Sequence, residues 1–330
     1  MDWFERITGF RELAYEETQA KLSVDEGYLA SKHSDRRFAI GVLETPTLAE
    51  LRAWTGRSSR RGTTKVSCVV GDARQLHADP ANRAALFQVA SQFNLLEMVG
   101  PSVTPEHGVT RYVQDRTQGP ACAIAAGAGT IYRNYLMPVG GAQGQRTDRQ
   151  VDCLADLRQA LGWNSDALGQ MRNGYALCSS DGLRHIDKLL QEASEEKLDA
   201  LRGLLRIGLH RNVRVTDSDD ERQLVSQAYC SALPVAYSSL PATLWRGFAR
   251  LVLEAAYEAT LLAAAHNASG GDSNLVLLTR LGGGAFGNDP EWIDAAMRRA
   301  LRLAAHLDLN VHIVCFGHVP AEMHRLCAEN

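Results

Sequence analysis

The stretch NLVLLTRLGGGAFGN, residues 274–288, is the best guide to the fold of this chain. It begins with the apolar run Leu275–Leu278, which is typical of a strand buried on both faces of a sheet. Three glycines follow, and after Asn288 come Asp289, a good helix cap, and Pro290, which suits a first helical turn. The pattern predicts a strand, a glycine loop and the N-terminus of a helix.

This predicted loop has a chemical consequence. Glycine lets backbone N–H groups approach a ligand closely, and a helix N-terminus adds unpaired donors and the positive end of a dipole. The alternative is a tight turn that uses glycine only for packing. We expect a phosphate site formed by Gly282, Gly283, Gly284, Ala285, Phe286, Gly287 and Asn288, with Phe286 able to stack beside a sugar or base.

Composition narrows the class of protein. The chain has 330 residues, of which 45% are hydrophobic, so it can bury a large core in one or two domains. Its net charge of −3 gives no sign of a general nucleic-acid binder. No apolar window reaches the length of a membrane span, and we expect no membrane association.

The cysteines and the N-terminus bear on the compartment. Seven cysteines occur without any CxxC pair, which favours free thiols in a reducing compartment and gives no zinc signature. The charged N-terminus is not a signal peptide. We therefore expect a cytoplasmic protein, and export by a specialised secretion system stays open.

Asp72 is the second candidate site residue. It follows residues 66–70, VSCVV, a predicted buried strand. A carboxylate just past the end of such a strand lies where open α/β sheets bind ligands. Asp72 would accept a hydrogen bond from a nucleobase amino group. Capping of the following helix is the alternative, and the two roles are compatible.

A dense polar segment, residues 111–135, is the third candidate. Asp115 and Gln118 lie there, ahead of a run of small residues at 121–129 that can pack closely against another surface. The residues alone leave two accounts of Asp115 open. It is either a catalytic carboxylate or a local cap of a helix that starts near Pro120.

The order of these elements predicts the fold class. Strands, helices and a glycine loop alternate, which favours an α/β sheet with helices on both faces. Residues 1–65 are predicted to form an N-terminal helical extension. Residues 66–330 are predicted to form the α/β domain, with a helical insertion at about 140–225.

Three pieces of the chain together resemble the macrodomain superfamily. VSCVVGD (66–72) looks like the strand leading to the adenine-binding aspartate, and VASQFN (89–94) is similar in place to the strand whose asparagine touches the distal ribose. LGGGAFGN (281–288) resembles the diphosphate-binding loop. The resemblance implies a macrodomain-like mixed sheet flanked by helices.

A fourth piece bears on catalysis. VQDR (113–116) looks like the element that carries the catalytic acid in poly(ADP-ribose) glycohydrolases, with one Asp115 in place of paired glutamates. DRTQGPACA (115–123) with RNY (133–135) is more similar to MavL-type macrodomain proteins, which remove ADP-ribose from arginine on ubiquitin. The glycine-rich stretch that usually follows the ribose asparagine is replaced by Leu-Leu-Glu, ending at Glu97.

The resemblance implies an ADP-ribosyl hydrolase that requires no metal and no cofactor. Its partner would be the ADP-ribose moiety of a modified protein, with ubiquitin implied by the MavL-type likeness alone. The resemblance implies adenine binding by Asp72 beside Phe93, and positioning of the distal ribose by Asn94. Asp115 would be the catalytic group at the anomeric carbon. Gln118 and Glu97 would have supporting roles, and Glu97 would be the acid if Asp115 is not.

Two other functions remain open at this point. A reader macrodomain would bind ADP-ribose without cleaving it, and would need the glycine loop and Asp72 but not Asp115. A nucleotide-dependent transferase or NAD-binding enzyme is the third possibility. It is disfavoured because no GxGxxG motif opens an early βαβ unit.

Overall fold

The computed structural model describes residues 1–58 and 61–329. Its strands are β1 (Leu22–Asp25), β2 (Tyr28–Ser31), β3 (Ser34–Ala39), β4 (Val42–Glu44), β5 (Lys65–Val70), β6 (Leu86–Ala90), β7 (Pro138–Val139), β8 (Ala142–Gln143), β9 (Gly169–Arg172), β10 (Tyr175–Cys178), β11 (Gly208–Arg214), β12 (Leu224–Cys230), β13 (Leu275–Leu278) and β14 (Asn310–Cys315).

The α-helices cover the sheet and the surrounding segments. They are α1 (Trp3–Thr8), α2 (Tyr15–Gln19), α3 (Leu48–Ser58), α4 (Ala73–Ala78), α5 (Gln118–Ala125), α6 (Gly127–Ile131), α7 (Ala155–Ala160), α8 (Ser180–Glu192), α9 (Glu195–Gly203), α10 (Ala242–Ser269), α11 (Pro290–Ala304) and α12 (Ala321–Ala328).

A seven-stranded mixed sheet forms the centre of the fold, in the order β4-β11-β12-β6-β13-β14-β5. The pairs β4–β11 and β11–β12 are antiparallel. The pairs from β12 through β6, β13 and β14 to β5 are all parallel. The predicted α/β class with a mixed sheet flanked by helices is confirmed.

Helices cover both faces of the sheet. Gln88 on β6 donates a hydrogen bond to Thr260 of α10, at 3.0 Å. Its neighbour Phe87 stacks on His77 of α4, with ring centroids 3.7 Å apart. Because successive side chains of a strand point to opposite faces, α10 and α4 lie on opposite sides of β6. This two-sided burial explains why β13 is a continuous apolar run and why four of the five residues of β6 are buried.

The elements predicted around the glycine loop are confirmed. β13 covers Leu275–Leu278, and α11 begins at Pro290 with Asp289 as its cap. The Asp289 side chain accepts a hydrogen bond from the Glu291 N–H at 2.8 Å. The ten residues 279–288 therefore connect the end of β13 to the cap of α11.

Strands as well as helices occur in the two segments for which the sequence predicts helices. Within 1–65, β1–β3 form an antiparallel sheet and β4 joins the main sheet, while residues 59 and 60 lie outside the described residues. Within about 140–225, β11 and the start of β12 also belong to the main sheet. Their pairing partners are far away in sequence, so local periodicity does not reveal them. The domain division at residue 65 stays a prediction.

The N-terminal segment packs against the middle of the chain through its own apolar core. Phe4 and Tyr15 are buried with Ile131 and Tyr135 in this core. No helix in the part of the chain that the structure describes combines the length and the apolar character needed to cross a membrane.

Glu12 connects this segment to the polar region around Asp115. Its carboxylate accepts hydrogen bonds from Val109 N at 2.8 Å, from Thr110 N at 2.9 Å and from Thr110 Oγ1 at 2.5 Å. The Tyr135 hydroxyl donates a fourth, at 2.7 Å. Residues 110–114 form a 3-10 turn that ends at Asp115. Glu12 therefore fixes the start of the turn that carries Asp115.

We expect Glu12→Gln to lower the free energy of unfolding by about 2 kcal/mol, because an amide directs an N–H₂ at groups that all donate. Urea unfolding measures the change. Glu17→Gln, an exposed position on α2, is the matched control and should stay within about 0.5 kcal/mol of wild type. Equal stability of the two variants would contradict this role of Glu12.

Candidate active-site cleft

A cleft lies at the carboxyl ends of three neighbouring parallel strands. Ala90 ends β6, Ala232 follows β12 and Thr279 follows β13, and all three residues line it. The other walls come from Glu97 and Met98, from the start of α5, and from the glycine loop between Gly282 and Phe286. Carboxyl ends of parallel strands are the usual ligand position in open α/β sheets.

The glycine loop is held in a fixed shape by Asn288. The Asn288 N–H donates to the Gly282 carbonyl at 2.9 Å, and its side-chain Nδ2 donates to the Leu233 carbonyl at 2.8 Å. Gly282 has a φ of 76°, and a Cβ there would overlap the Cβ of Ala232. Glycine is therefore required at this position by both conformation and space.

Three consecutive amides of this loop are available to a ligand. Among the described residues, the N–H groups of Gly284, Ala285 and Phe286 donate to no protein acceptor. Gly284 and Phe286 both line the cleft, as does Ala285 between them. Successive unpaired amides on a concave loop form an anion-binding site.

The helix N-terminus at the cleft is that of α5, and not that of α11 as the sequence suggested. Asp289 caps α11, and neither it nor Pro290 lines the cleft. Thr117 makes no side-chain cap bond to α5. The amides of Gln118 and Gly119 have no protein acceptor in the described part of the chain, and both residues line the cleft. An uncapped helix N-terminus thus faces the glycine loop.

The Gln118 side chain joins α5 to the sheet. Its Nε2 donates to the Gln88 carbonyl at 2.9 Å, and its Oε1 accepts from the Ala90 N–H at 3.0 Å. Both ends of the amide are occupied by the backbone of β6. The geometry gives Gln118 a positioning role, which differs from the chemical role that the resemblance implied.

Glu97 and Asp115 are the carboxyl groups of the cleft. Glu97 is 3% exposed, and its Oε1 has no hydrogen-bond partner among the described residues. Burial raises the pKa of Glu97 well above its ordinary value, Arg133 opposes the shift, and Asp115 adds to it. Asp115 is half-buried, and its Oδ1 accepts from the Thr117 N–H at 2.8 Å. Asp115 therefore closes a local turn just before α5, without capping the helix, and also lines the cleft.

Arg133 supports the turn that leads to Glu97. Its Nε donates to the carbonyl of Leu95, a residue with a φ of 65°, at 3.0 Å. Burial and Arg133 lower the pKa of His210 to about 3, so its neutral Nδ1 accepts from the guanidinium at 3.1 Å. Within the described residues, no carboxylate lies within 4 Å of Arg133. Arg133 belongs to the RNY segment, 133–135, for which the resemblance implied no role of this residue.

An aromatic wall completes one end of the cleft. Tyr175 lies 5.1 Å from Tyr237 and 5.4 Å from Phe286 between ring centroids. The Tyr175 hydroxyl donates to the Met98 carbonyl at 2.5 Å. Sequence analysis identified only Phe286 here, because Tyr175 and Tyr237 come from distant segments that no local motif connects.

Asp72 lies at the same edge of the sheet, outside the cleft itself. Its Oδ1 accepts from the N–H groups of Arg74 at 2.8 Å and Gln75 at 3.2 Å, so it caps α4. β5 is two strands from β13 in the sheet, about 10 Å away. Phe316, which follows the intervening β14, is 83% exposed. The sequence analysis did not single out Phe316.

Phe93 and Asn94 do not line the cleft, contrary to the roles that the resemblance implied. Phe93 is 2% exposed and belongs to the main core. It follows β6, which lies three strands, or about 14 Å, from β5, the strand that precedes Asp72. Asn94 is fully buried and donates to Gln150 at 2.8 Å. The chain turns inward after β6, with the Gln92 N–H donating to the Leu96 carbonyl. This turn directs both side chains into the protein.

Over the described ranges, no group of three or more His, Cys, Asp or Glu side chains is arranged to hold a metal ion.

Neither a protein-family model nor a curated protein sequence matches this chain. Solved structures similar to it include poly(ADP-ribose) glycohydrolase from Deinococcus radiodurans in complex with ADP-ribose, at 16% identity and a TM-score of 0.41 over 87% of this chain and 90% of that one. The enzyme from Thermomonospora curvata bound to the inhibitor ADP-HPD matches at 14% identity and a TM-score of 0.37, over 87% and 84%.

Gly119 allows the closest contact in the cleft. A Cβ at this position would overlap the Ala90 carbonyl oxygen and the Glu97 carboxyl group. We expect Gly119→Ala to lower the free energy of unfolding by about 2 kcal/mol, since the N-terminus of α5 must move away from β6.

Chemical unfolding measures this change. Gly284→Ala is the control, because a Cβ there meets nothing within 4 Å. It should stay within about 0.5 kcal/mol of wild type. Similar losses in the two variants would show that the close contact at Gly119 does not matter.

Proposed function

We propose that this protein is a hydrolase that releases ADP-ribose from a modified protein. The observation that supports this best is the set of chemical groups that line one cleft. Unpaired amides from the glycine loop and from α5 face each other there, and the carboxyl groups of Glu97 and Asp115 lie beside them. A diphosphate site next to paired carboxyl groups is suited to cleavage of a glycosidic bond on a nucleotide sugar.

The diphosphate would bind between the two sets of amides. Gly284, Ala285 and Phe286 would donate from one side and the N-terminus of α5 from the other. Both sets of N–H groups carry partial positive charge, and no counter-ion has to leave them before the diphosphate binds. Arg280 also lines the cleft, although its guanidinium is already paired with Asp294 at 2.9 Å.

The adenine would extend along the sheet edge towards β5. Asp72 would accept from its amino group through the oxygen that does not cap α4. The exposed ring of Phe316 lies between Asp72 and the cleft in the order of strands and would stack on the base. In this proposal Phe316 takes the place that the sequence analysis gave to Phe93.

The distal ribose would lie at the opposite end, against Tyr175 and Phe286. Glycosidic cleavage passes through an oxocarbenium-like state that a nearby carboxylate stabilises. Asp115 would act at the anomeric carbon. Asn94 is buried away from this position, whereas Gln92 lines the cleft. The Gln92 Oε1 accepts from the Met98 N–H at 2.7 Å and its Nε2 donates to the Tyr175 hydroxyl at 3.4 Å, so its second Nε2–H would donate to the ribose.

The linkage and the modified protein are finer parts of the proposal. Arginine-linked ADP-ribose on ubiquitin is supported by the likeness of 115–123 and 133–135 to MavL-type proteins. A carboxylate is also a natural partner for a guanidinium leaving group.

We expect Asp115→Asn to reduce release of free ADP-ribose at least about 100-fold, because the water or leaving group loses its proton acceptor or donor. Affinity for ADP-ribose should change only a few-fold. The measurement is release of ADP-ribose from proteins modified at arginine, serine or glutamate, together with calorimetric binding of ADP-ribose.

Asp35→Asn is the matched control, since Asp35 is an exposed residue of β3 and does not line the cleft. Binding of ADP-ribose by wild type without release from any linkage would support a reader that does not cleave. Absence of binding would refute the proposal.

A further inference from the structure

The environment of Glu97 differs sharply from that of Asp115. Glu97 is almost fully enclosed, and its Oε1 accepts no hydrogen bond within the described residues. Gly119 packs directly against the carboxyl group. Asp115 is half-exposed and accepts a backbone hydrogen bond at 2.8 Å.

The enclosure of Glu97 decides whether its carboxyl group holds a proton. An ionised carboxylate without donors in an apolar enclosure is costly, so such a group takes up a proton instead. Two neighbouring carboxyl groups in contrasting environments are the usual sign of an acid and base pair.

We propose that Glu97 is the proton donor to the leaving group, and that the cleft therefore acts on ADP-ribose joined to an alcohol or a guanidine rather than to a carboxylate. This inference rests on the proposed hydrolase function. It adds the class of linkage and assigns the acid to a residue outside the VQDR segment. The raised pKa of Glu97 is consistent with the assignment.

The bond between the anomeric carbon and the leaving atom breaks, and its electron pair goes to that atom, which takes the proton of Glu97. A water oxygen bonds to the anomeric carbon, and its proton goes to the Asp115 carboxylate. The products are ADP-ribose and a neutral alcohol or, because a ribosylated guanidine starts as a cation, a guanidinium. Transfer of one proton from Asp115 to Glu97 through solvent restores the starting state.

Leaving-group chemistry gives the substrate class. Alkoxide and neutral guanidine are strong bases, as the very high side-chain pKa of arginine illustrates, so they need a proton as the bond breaks. A carboxylate leaves readily as an anion, since its acid has a pKa of about 4. A protonated group fixed in the cleft accelerates only the first class.

The deciding experiment compares two kinds of substrate in wild type and Glu97→Gln. One kind is protein ADP-ribosylated at serine or arginine. The other is the 4-nitrophenyl glycoside of ADP-ribose, whose phenolate leaves without a proton. We expect the rate of turnover of the protein substrates to be at least about 100-fold lower in the variant than in wild type. We expect the rate of turnover of the nitrophenyl substrate to be less than about tenfold lower in the variant. Glutamine matches protonated glutamate in shape, so the fold should persist.

The control variant is Glu196→Gln, on the exposed side of α9, which should leave turnover of both substrates unchanged. Equal losses on both substrates in Glu97→Gln would overturn the inference while leaving the hydrolase function intact. Faster release by wild type from glutamate esters than from serine or arginine would also overturn it. Failure of wild type to hydrolyse either kind would instead refute the proposed function.

A second readout reports the proton directly. The pKa of Glu97 is about 4 in the unfolded chain and is raised in the folded protein, so between these two values only the folded protein keeps the proton. In this pH range the free energy of unfolding of wild type should therefore fall, relative to that of Glu97→Gln, as pH rises. Turnover of protein substrates should fall on the alkaline side of the raised pKa, and turnover of the nitrophenyl substrate should not. A pH-independent stability difference would contradict a buried proton.

Discussion

Parallel hydrogen bonding between β12, β6, β13, β14 and β5 is the constraint on which the rest of the structure depends. It brings five carboxyl ends to one edge of the sheet, although the strands come from residues 65 to 315. The glycine loop, Glu97, Asp72 and Phe316 all follow these ends. None of them would be near another without the register of the sheet.

Close packing then shapes the cleft around one uncompensated carboxyl group. Gly119 lets α5 approach β6 and Glu97, Gln118 joins α5 to the β6 backbone, and Arg133 holds the carbonyl of Leu95. These contacts enclose Glu97 without giving its Oε1 a donor. A protein tolerates such a cost at a place where function requires it, and stability alone would favour a paired or apolar side chain there.

The N-terminal segment contributes to the same site from the outside. Glu12 accepts four hydrogen bonds, three from residues 109–110 and one from Tyr135, and so fixes the turn before Asp115. The chain therefore uses a residue near its start to position a candidate catalytic residue about one hundred positions later. The predicted extension is part of the support of the cleft.

The sequence by itself determined β13, the glycine loop, the start of α11 and the α/β class, because apolar runs, glycines and an Asp-Pro cap act locally. It also identified Asp115 and Glu97 as candidates. Only the tertiary structure decided that α5 supplies the uncapped helix N-terminus, that Tyr175 and Tyr237 meet Phe286, and that Phe93 and Asn94 turn inward. Exposure, proton affinity and contact between distant segments are set by the packed chain, and local pattern carries no information on them.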